Sequence, residues 1–322
     1  MNTAHHTATL PFYRLAQPLS KEAHVARVKS ALLSEAHNIL EAESFTQVVP
    51  TTLTDMAGAC GDPGTLIKVD LQGCQGYLRQ TSQLHLEPLM RELGRVYSVS
   101  KSFRNERRKD ERHLTEFTLV EAEAAGWDLY RMMALMERLV KGMLRHAHEV
   151  AAANISALGA GLYIFDSTPF ARITYDEAII TLQKNGHFIE WGEDLSAEHE
   201  LILTGIYGPL FVTHYPVGLR FFTMKVSRDD PRVVQCCDLL LPGVGEVMGA
   251  SETENDPALL EHKLQTSPSI MQTLDLGGSA ADYAWYIEMH NRASELQAGF
   301  GMGFERLVRY ACGLTTVAWL VL

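Results

Sequence analysis

The stretch FRNERRKDERHLTEF, residues 103–117, carries much of the chemistry of this chain and decides its fold. It joins the ends of two segments, 96–103 and 117–125, whose composition predicts paired β-strands separated by a charged loop. Arg104 and Glu106 are two positions apart, so they share one face of an extended strand. The stretch therefore predicts a strand–loop–strand unit with charged side chains at its open end.

The loop and the returning strand add further groups suited to a nucleotide. Arg112 and His113 end the loop, and Phe117 opens the second strand. Cations suit phosphates, a carboxylate accepts from an exocyclic amine, and an aromatic ring stacks on a base. The alternative is a solvated surface loop, which a run of six basic residues between positions 101 and 113 would favour by itself.

A second stretch, GFGMGFER at 299–306, places three alternate glycines before a predicted helix. Glycines allow close approach of a ligand to the backbone, and a helix start favours anions, so Gly303 and Arg306 are candidate phosphate ligands. Asp238 and Glu246 flank the turn LLLPGVG. Two carboxylates beside a turn can hold Mg²⁺ against phosphates, and the alternative is two surface acids.

The composition excludes several classes of protein. The chain has 322 residues, 46% of them hydrophobic, which is enough for one large domain or two small ones. No apolar run approaches the roughly 18 residues of a membrane span, and we expect a cytoplasmic protein. The five cysteines form no CxxC pair, so zinc is not expected. A net charge of −11 argues against nucleic-acid binding over the whole surface.

The hydrophobic pattern predicts an α+β fold. Helical periodicity covers 82–93 and 127–152 and resumes after Gly303, whereas 210–226 and 233–241 look like strands. Grouped strands with segregated helices indicate an antiparallel sheet flanked by helices, not a doubly wound parallel sheet.

A further helical pattern begins at Ser20. Its apolar face is wider than one thin layer covers, which predicts a homodimer through residues 20–50, with core burial as the alternative. The apolar residues of this stripe are Val25, Val28, Leu32, Ile39 and Leu40.

These motifs together resemble those of a known family. Residues 103–117 and 299–306 are similar to the second and third signature motifs of class II aminoacyl-tRNA synthetases. Other stretches resemble the asparaginyl branch, with the aspartyl branch next: QTSQLHLE at 80–87, WGED at 191–194 and LPGVGE at 241–246. The similarity runs in order from about Ser20 to the C-terminus, and the first helix takes the place of the motif that builds the family's dimer interface.

The resemblance implies ATP bound across an antiparallel sheet and attack by an amino-acid carboxylate on its α-phosphate. The residues implied for ATP are Arg104, Glu106, Arg112, His113, Phe117, Glu246, Gly303 and Arg306, with Arg104 and Arg306 as the catalytic pair. The residues implied for Mg²⁺ are Asp238 and Glu246. The residues implied for the amino acid are Asp62, Gln80, Gln83, Glu121, Glu123, Arg220 and Thr253.

The chain departs from the family pattern at several positions. Asp62 stands where the family has a loop glutamate, and Leu86 where aspartyl enzymes have a lysine. Thr253 stands where the family has an arginine that grips the substrate side chain, so Arg220 is the candidate to compensate. Only about twenty residues precede the first helix; we expect residues 1–19 to be an extension and 20–322 a catalytic domain without the family's anticodon-binding barrel.

These departures favour a stand-alone ligase. We expect it to activate aspartate or a related amino acid as an adenylate and to transfer the acyl group to ammonia or a small amine, as in archaeal asparagine synthetase-like relatives. One alternative is an asparaginyl- or aspartyl-tRNA synthetase-like enzyme that charges tRNA. A second is a nucleotide-binding paralogue without catalysis, against which the retained Arg104 and Arg306 argue.

Overall fold

The structure is a computed structural model, and it describes residues 19–54, 63–105, 113–161, 165–267, 280–291 and 295–320. The helices are α1 Lys21–Ala42, α2 Gln83–Leu93, α3 Leu129–Ala157, α4 Tyr175–Lys184, α5 Ala197–Tyr207, α6 Pro257–Thr266, α7 Ala284–Asn291 and α8 Phe304–Ala311. The strands are β1 Thr46–Gln47, β2 Leu53–Thr54, β3 Ile67–Leu71, β4 Cys74–Leu78, β5 Arg95–Phe103, β6 Glu116–Ala125, β7 Ala171–Thr174, β8 Leu210–Thr213, β9 Cys236–Leu241, β10 Gly245–Glu252 and β11 Gln297–Gly303. None of these helices is both long and apolar enough to cross a bilayer.

Most of the strands form one large sheet. Its eight strands run in the order β1-β5-β6-β11-β10-β9-β8-β7, and a separate small sheet has the order β2-β4-β3. The central strands pair antiparallel, while β1 on β5 and β7 on β8 pair parallel at the two edges. The predicted α+β fold with helices flanking a largely antiparallel sheet is confirmed. The sequence did not predict the parallel edge pairs, because β1 and β7 are too short to carry a periodic signal.

Helix α1 packs on α3, and α3 in turn lies against strands β9, β10 and β11. The side chains of Val25, Val28, Leu32 and Leu40 are at most 1% exposed and belong to the same core as α3. The apolar stripe is therefore covered within one chain, and the reason given for a dimer does not hold. The homodimer itself stays a prediction, as does the division at residue 20.

One predicted strand is much shorter than its apolar run. Strand β8 ends at Thr213, because His214 takes a positive φ of 59° and the segment Val217–Leu219 forms a 3₁₀ turn. The sequence had predicted that Arg220 lies on a strand, but in the structure it follows a turn. Likewise β9 begins at Cys236, three residues later than expected.

The register of the central strands places the candidate site. On β6 and β11, Glu121 pairs with Gly301 and Glu123 with Gly299. Because successive side chains alternate between faces, both glutamates lie on the same side of the sheet. That side faces away from α3, whose core contacts are the intervening residues such as Ala122.

We expect Leu32→Ala to lower the free energy of unfolding by about 3 kcal/mol, because a fully buried leucine leaves a cavity between α1 and α3. Val150→Ala on α3, at a side chain that is 60% exposed, serves as the control and should change stability by no more than about 0.5 kcal/mol. Urea denaturation measures both. Equal midpoints for the two variants would contradict the packing described.

Candidate active site

A cavity of about 310 Å³ opens over the free face of the central strands. Most of the candidate residues that the structure describes line this cavity, although they are spread along the sequence from position 83 to position 306. They are Gln83, Arg104, His113, Phe117, Glu121, Glu123, Arg220, Asp238, Glu246, Thr253, Gly303 and Arg306. The fold therefore brings both predicted motifs to one place.

Four candidates are not among the described residues that line the cavity. Glu106, Arg112 and Asp62 lie outside the described residues. Gln80 is fully buried behind the cavity wall, where its amide donates to the Thr65 hydroxyl at 2.8 Å. Thr65 in turn accepts from the backbone of Asn105 at 2.7 Å, so Gln80 supports the segment that carries Arg104.

Arg104 is the cation best placed to meet a ligand. It directly follows β5, and its backbone N–H donates to the Thr115 carbonyl at 2.9 Å. Its guanidinium lies 5.3 Å from the centre of the Phe117 ring. Its buried Nε has no hydrogen-bond partner in the described protein. A guanidinium that lines the cavity is suited to an anion that enters it.

Arg306 lies in the first turn of α8 and bridges to the start of β10. Its Nη1 donates to the Glu246 carbonyl at 2.7 Å and to the Glu246 carboxylate at 3.2 Å. Gly303 lies beside this side chain, because a Cβ there would be 3.6 Å from Arg306 Cδ. The contacts hold a cation at the helix start, where backbone N–H groups also favour anions.

Asp238 and Glu246 converge over a glycine. A Cβ on Gly249 would lie 3.3 Å from Asp238 Oδ1 and 3.6 Å from Glu246 Oε1, so the missing side chain leaves the space that both carboxylates enter. Burial raises the pKa of Asp238 to about 6, with Arg220 lowering it and Glu246 raising it. Two carboxylates beside an open cavity fit Mg²⁺, which takes only one or two from a protein.

Arg220 is committed to Asp238. Its Nη2 donates to Asp238 Oδ2 at 2.5 Å, and its guanidinium stacks 3.7 Å from the centre of the Tyr215 ring. This pair uses one carboxylate oxygen of Asp238 and leaves Oδ1 towards Gly249. The sequence proposed Arg220 as a partner for the substrate, whereas in the structure its nearest anion belongs to the protein.

The two glutamates of β6 differ in their surroundings. Glu121 accepts from the Thr81 hydroxyl and from the Ser82 backbone N–H at 2.8 Å. Glu123 Oε2 has no partner among the described residues. Burial, with the nearby carboxylates of Glu87 and Glu121, raises the pKa of Glu123 well above its usual value. Burial thus favours the neutral form of the Glu123 carboxyl, whereas Glu121 is held as a hydrogen-bond acceptor by Thr81 and Ser82.

Three further residues complete the site without having been predicted. Thr81 holds Glu121, Tyr215 supports Arg220, and Gly249 makes room for Asp238 and Glu246. Thr81 lies inside the QTSQLHLE stretch, so position alone could have suggested it. Tyr215 and Gly249 become visible only when β8, β9 and β10 are paired.

Comparison with known proteins agrees with this architecture. Residues 12–322 match the family described as tRNA synthetases class II (D, K and N). The predicted enzyme class, an AMP-forming ligase like the class II aminoacyl-tRNA synthetases, is confirmed. The chain belongs to the class II tRNA synthetases, within their D, K and N group.

The most similar relatives point to one branch. The chain is 37% identical over 306 residues to the asparagine–tRNA ligase of Thermococcus gammatolerans. This match covers 94% of this chain and 69% of the relative. The asparaginyl-tRNA synthetase of Pyrococcus horikoshii complexed with asparaginyl-adenylate aligns with a TM-score of 0.83 at 35% identity, over 93% of this chain and 67% of that one. The Entamoeba histolytica enzyme, also with asparaginyl-adenylate, gives 0.82 at 27% identity, over 93% and 66%.

These relatives correct the expected acceptor. The prediction of a ligase that transfers its acyl group to ammonia or a small amine is wrong, because the relatives that match almost the whole chain are asparagine–tRNA ligases. The expectation that a small amine is a more suitable partner than tRNA is wrong for the same reason. The departures from the family pattern and the net charge of −11 misled the prediction, since neither reports whether one local surface of the chain can bind tRNA phosphates.

We expect Gly299→Ala to destabilise the protein by about 1–3 kcal/mol, because the new Cβ would overlap the Glu123 carboxylate and force it to move. Gly301→Ala is the matched control on the same strand. Its Cβ would make an ordinary contact, 3.9 Å from Glu121 Cγ. Urea denaturation of the two variants tests this, and equal unfolding midpoints would show that the Glu123 carboxyl can leave the space over Gly299 without cost.

Proposed function

We propose that this chain activates asparagine with ATP as asparaginyl-adenylate and transfers the asparaginyl group to tRNA. The observation that carries the proposal is the similarity to asparagine–tRNA ligases along 94% of the chain. The cavity supports it, because the two motif regions meet there with cations, carboxylates and an aromatic ring.

The ATP half of the site uses the cations. Arg104 would contact the asparagine carboxylate and the α-phosphate, and Phe117 beneath its guanidinium would stack on the adenine. Arg306 and His113 would bind the outer phosphates. The carboxylate attacks the α-phosphorus, pyrophosphate leaves, and a mixed anhydride results. No protein nucleophile takes part, so the rate would come from positioning and from charge stabilisation by Arg104.

The residues that converge over Gly249 would hold Mg²⁺. Asp238 and Glu246 supply two carboxylates, and the remaining ligands would be phosphate oxygens and water. The ion would neutralise phosphate charge when bound. Arg306 already contacts Glu246, so cation and carboxylate lie together at the phosphate end.

The amino-acid half of the site is the acidic wall of the cavity. Glu121, Glu123 and Gln83 line it and would meet the ammonium group of the substrate. Arg220 is paired with Asp238, and Thr253 offers no charge to a second carboxylate. A neutral side-chain amide therefore suits this end better than a free β-carboxylate, which favours asparagine over aspartate.

Transfer completes the reaction. A ribose hydroxyl at the tRNA terminus would attack the carbonyl carbon of the adenylate, and AMP would leave with the electrons of the broken anhydride bond. The hydroxyl proton passes to the leaving phosphate or to solvent. The products are asparaginyl-tRNA and AMP.

The wild-type protein should catalyse pyrophosphate–ATP exchange that depends on asparagine, with aspartate much less effective. It should also attach labelled asparagine to tRNA in acid-precipitable form. Hydroxylaminolysis and ammonia-dependent AMP release serve as parallel assays for a small acceptor. Adenylate formation followed by transfer only to ammonia or an amine would overturn the proposal.

Arg104→Ala should reduce asparagine-dependent pyrophosphate exchange by about 10²–10³-fold, since it removes a charge that stabilises the pentavalent phosphorus. Arg232→Ala is the control, because Arg232 is an exposed arginine that pairs with Asp230 outside the cavity. It should exchange pyrophosphate at close to the wild-type rate. Near-normal exchange by Arg104→Ala would remove Arg104 from the proposed site.

A further inference from the structure

Glu87 is a fully buried carboxyl one helical turn after Gln83 on α2. It does not line the cavity, but it accepts three donors from three elements. Gln83 Nε2 donates at 2.8 Å, the Tyr286 hydroxyl of α7 at 2.9 Å, and Gln297 Nε2 of β11 at 3.0 Å. Nothing in the reaction proposed above uses this group.

A carboxylate at position 87 fixes the orientation of the side-chain amides that contact it. An ionised carboxylate only accepts hydrogen bonds, whereas a primary amide has a donor end and an acceptor end. With the NH₂ of Gln83 directed at Glu87, its carbonyl oxygen is the end left for the cavity. Gln297 is oriented in the same way, and its own oxygen accepts from Arg91 at 3.4 Å.

The orientation of Gln83 matters because of what lies beside it. The neighbouring wall presents the carboxylate of Glu121, so a carbonyl oxygen from Gln83 adds a second acceptor for an ammonium group. A rotated amide would place an NH₂ group there and would repel the substrate's ammonium group. Rotating the Gln83 amide by half a turn exchanges the positions of its oxygen and nitrogen and leaves the shape of the side chain unchanged.

We propose that Glu87 is a positioning residue, which keeps the carbonyl oxygen of Gln83 towards the amino-acid end of the cavity. The assignment rests on the proposed amino-acid activation. Glu87 acts through Gln83 and does not touch the substrate. It also ties α7 and the first residue of β11 to the helix that carries Gln83.

Replacing Glu87 by Gln keeps the shape but removes the acceptor-only character. Glu87→Gln should raise the KM for asparagine in pyrophosphate exchange by about tenfold or more, the usual consequence of losing a well-made hydrogen bond to a charged group. The KM for ATP should stay within about twofold of wild type, because the phosphate end is untouched.

Tyr286→Phe is the matched control. It removes another donor from the same carboxylate and leaves the contact between Gln83 and Glu87 in place. We expect a lower melting temperature with an unchanged KM for asparagine. If Tyr286→Phe and Glu87→Gln raise this KM equally, Glu87 is a structural residue and the proposal falls.

Exchanging the two side chains gives a stricter test. In Gln83→Glu combined with Glu87→Gln, the new amide at position 87 can donate to the new carboxylate at position 83, which again presents an acceptor to the cavity. In the double variant the KM for asparagine should return most of the way from the raised value of Glu87→Gln to the wild-type value. Failure to recover, in a folded double variant with a normal KM for ATP, would overturn the proposal.

Different outcomes test the proposed function and the positioning role of Glu87. If no amino acid supports pyrophosphate exchange by the wild-type protein, the proposed function is overturned, and the role of Glu87 with it. A wild-type protein that activates asparagine, together with a Glu87→Gln variant of normal KM, would overturn only the positioning role.

Discussion

The pairing of β6 with β11 sets two glutamates against two glycines, and the rest of the site depends on this register. Glu123 lies over Gly299, where no other residue leaves room for its carboxylate. Acidic side chains can therefore lie flat on the sheet while the cavity above them stays open. A one-residue slip would turn both glutamates into the core formed with α3, where unpaired charge is costly.

Charge pairing along the wall divides the cavity into two ends. Arg306 pairs with Glu246 and Arg220 with Asp238, while the Nε of Arg104 has no hydrogen-bond partner among the described residues. Polar groups are thus arranged before a ligand arrives, which is how a preorganised site lowers the cost of rearrangement during reaction. The acidic end is held by a separate set of hydrogen bonds centred on Glu121 and Glu87.

Much of the fold and most of the candidate site followed from local sequence. The strands on either side of residues 103–117 and the glycine-rich strand before α8 were recognisable, because periodicity and spacing report a strand and its turn directly. Strand β8 was overestimated, since an apolar run does not reveal that His214 reverses the backbone. The α1 stripe looked wide enough for a dimer interface because the sequence does not show that α3, about a hundred residues away, covers it.

The sequence by itself determined the family, the α+β class and most of the side chains that line the cavity, because these lie in short contiguous motifs whose spacing carries their meaning. Only the tertiary structure decided which partners those side chains have. Asp238 meets Arg220, and Glu87 collects donors from α2, α7 and β11, through contacts between segments far apart in the chain. Such pairings arise from strand register and helix packing, and no local pattern encodes them.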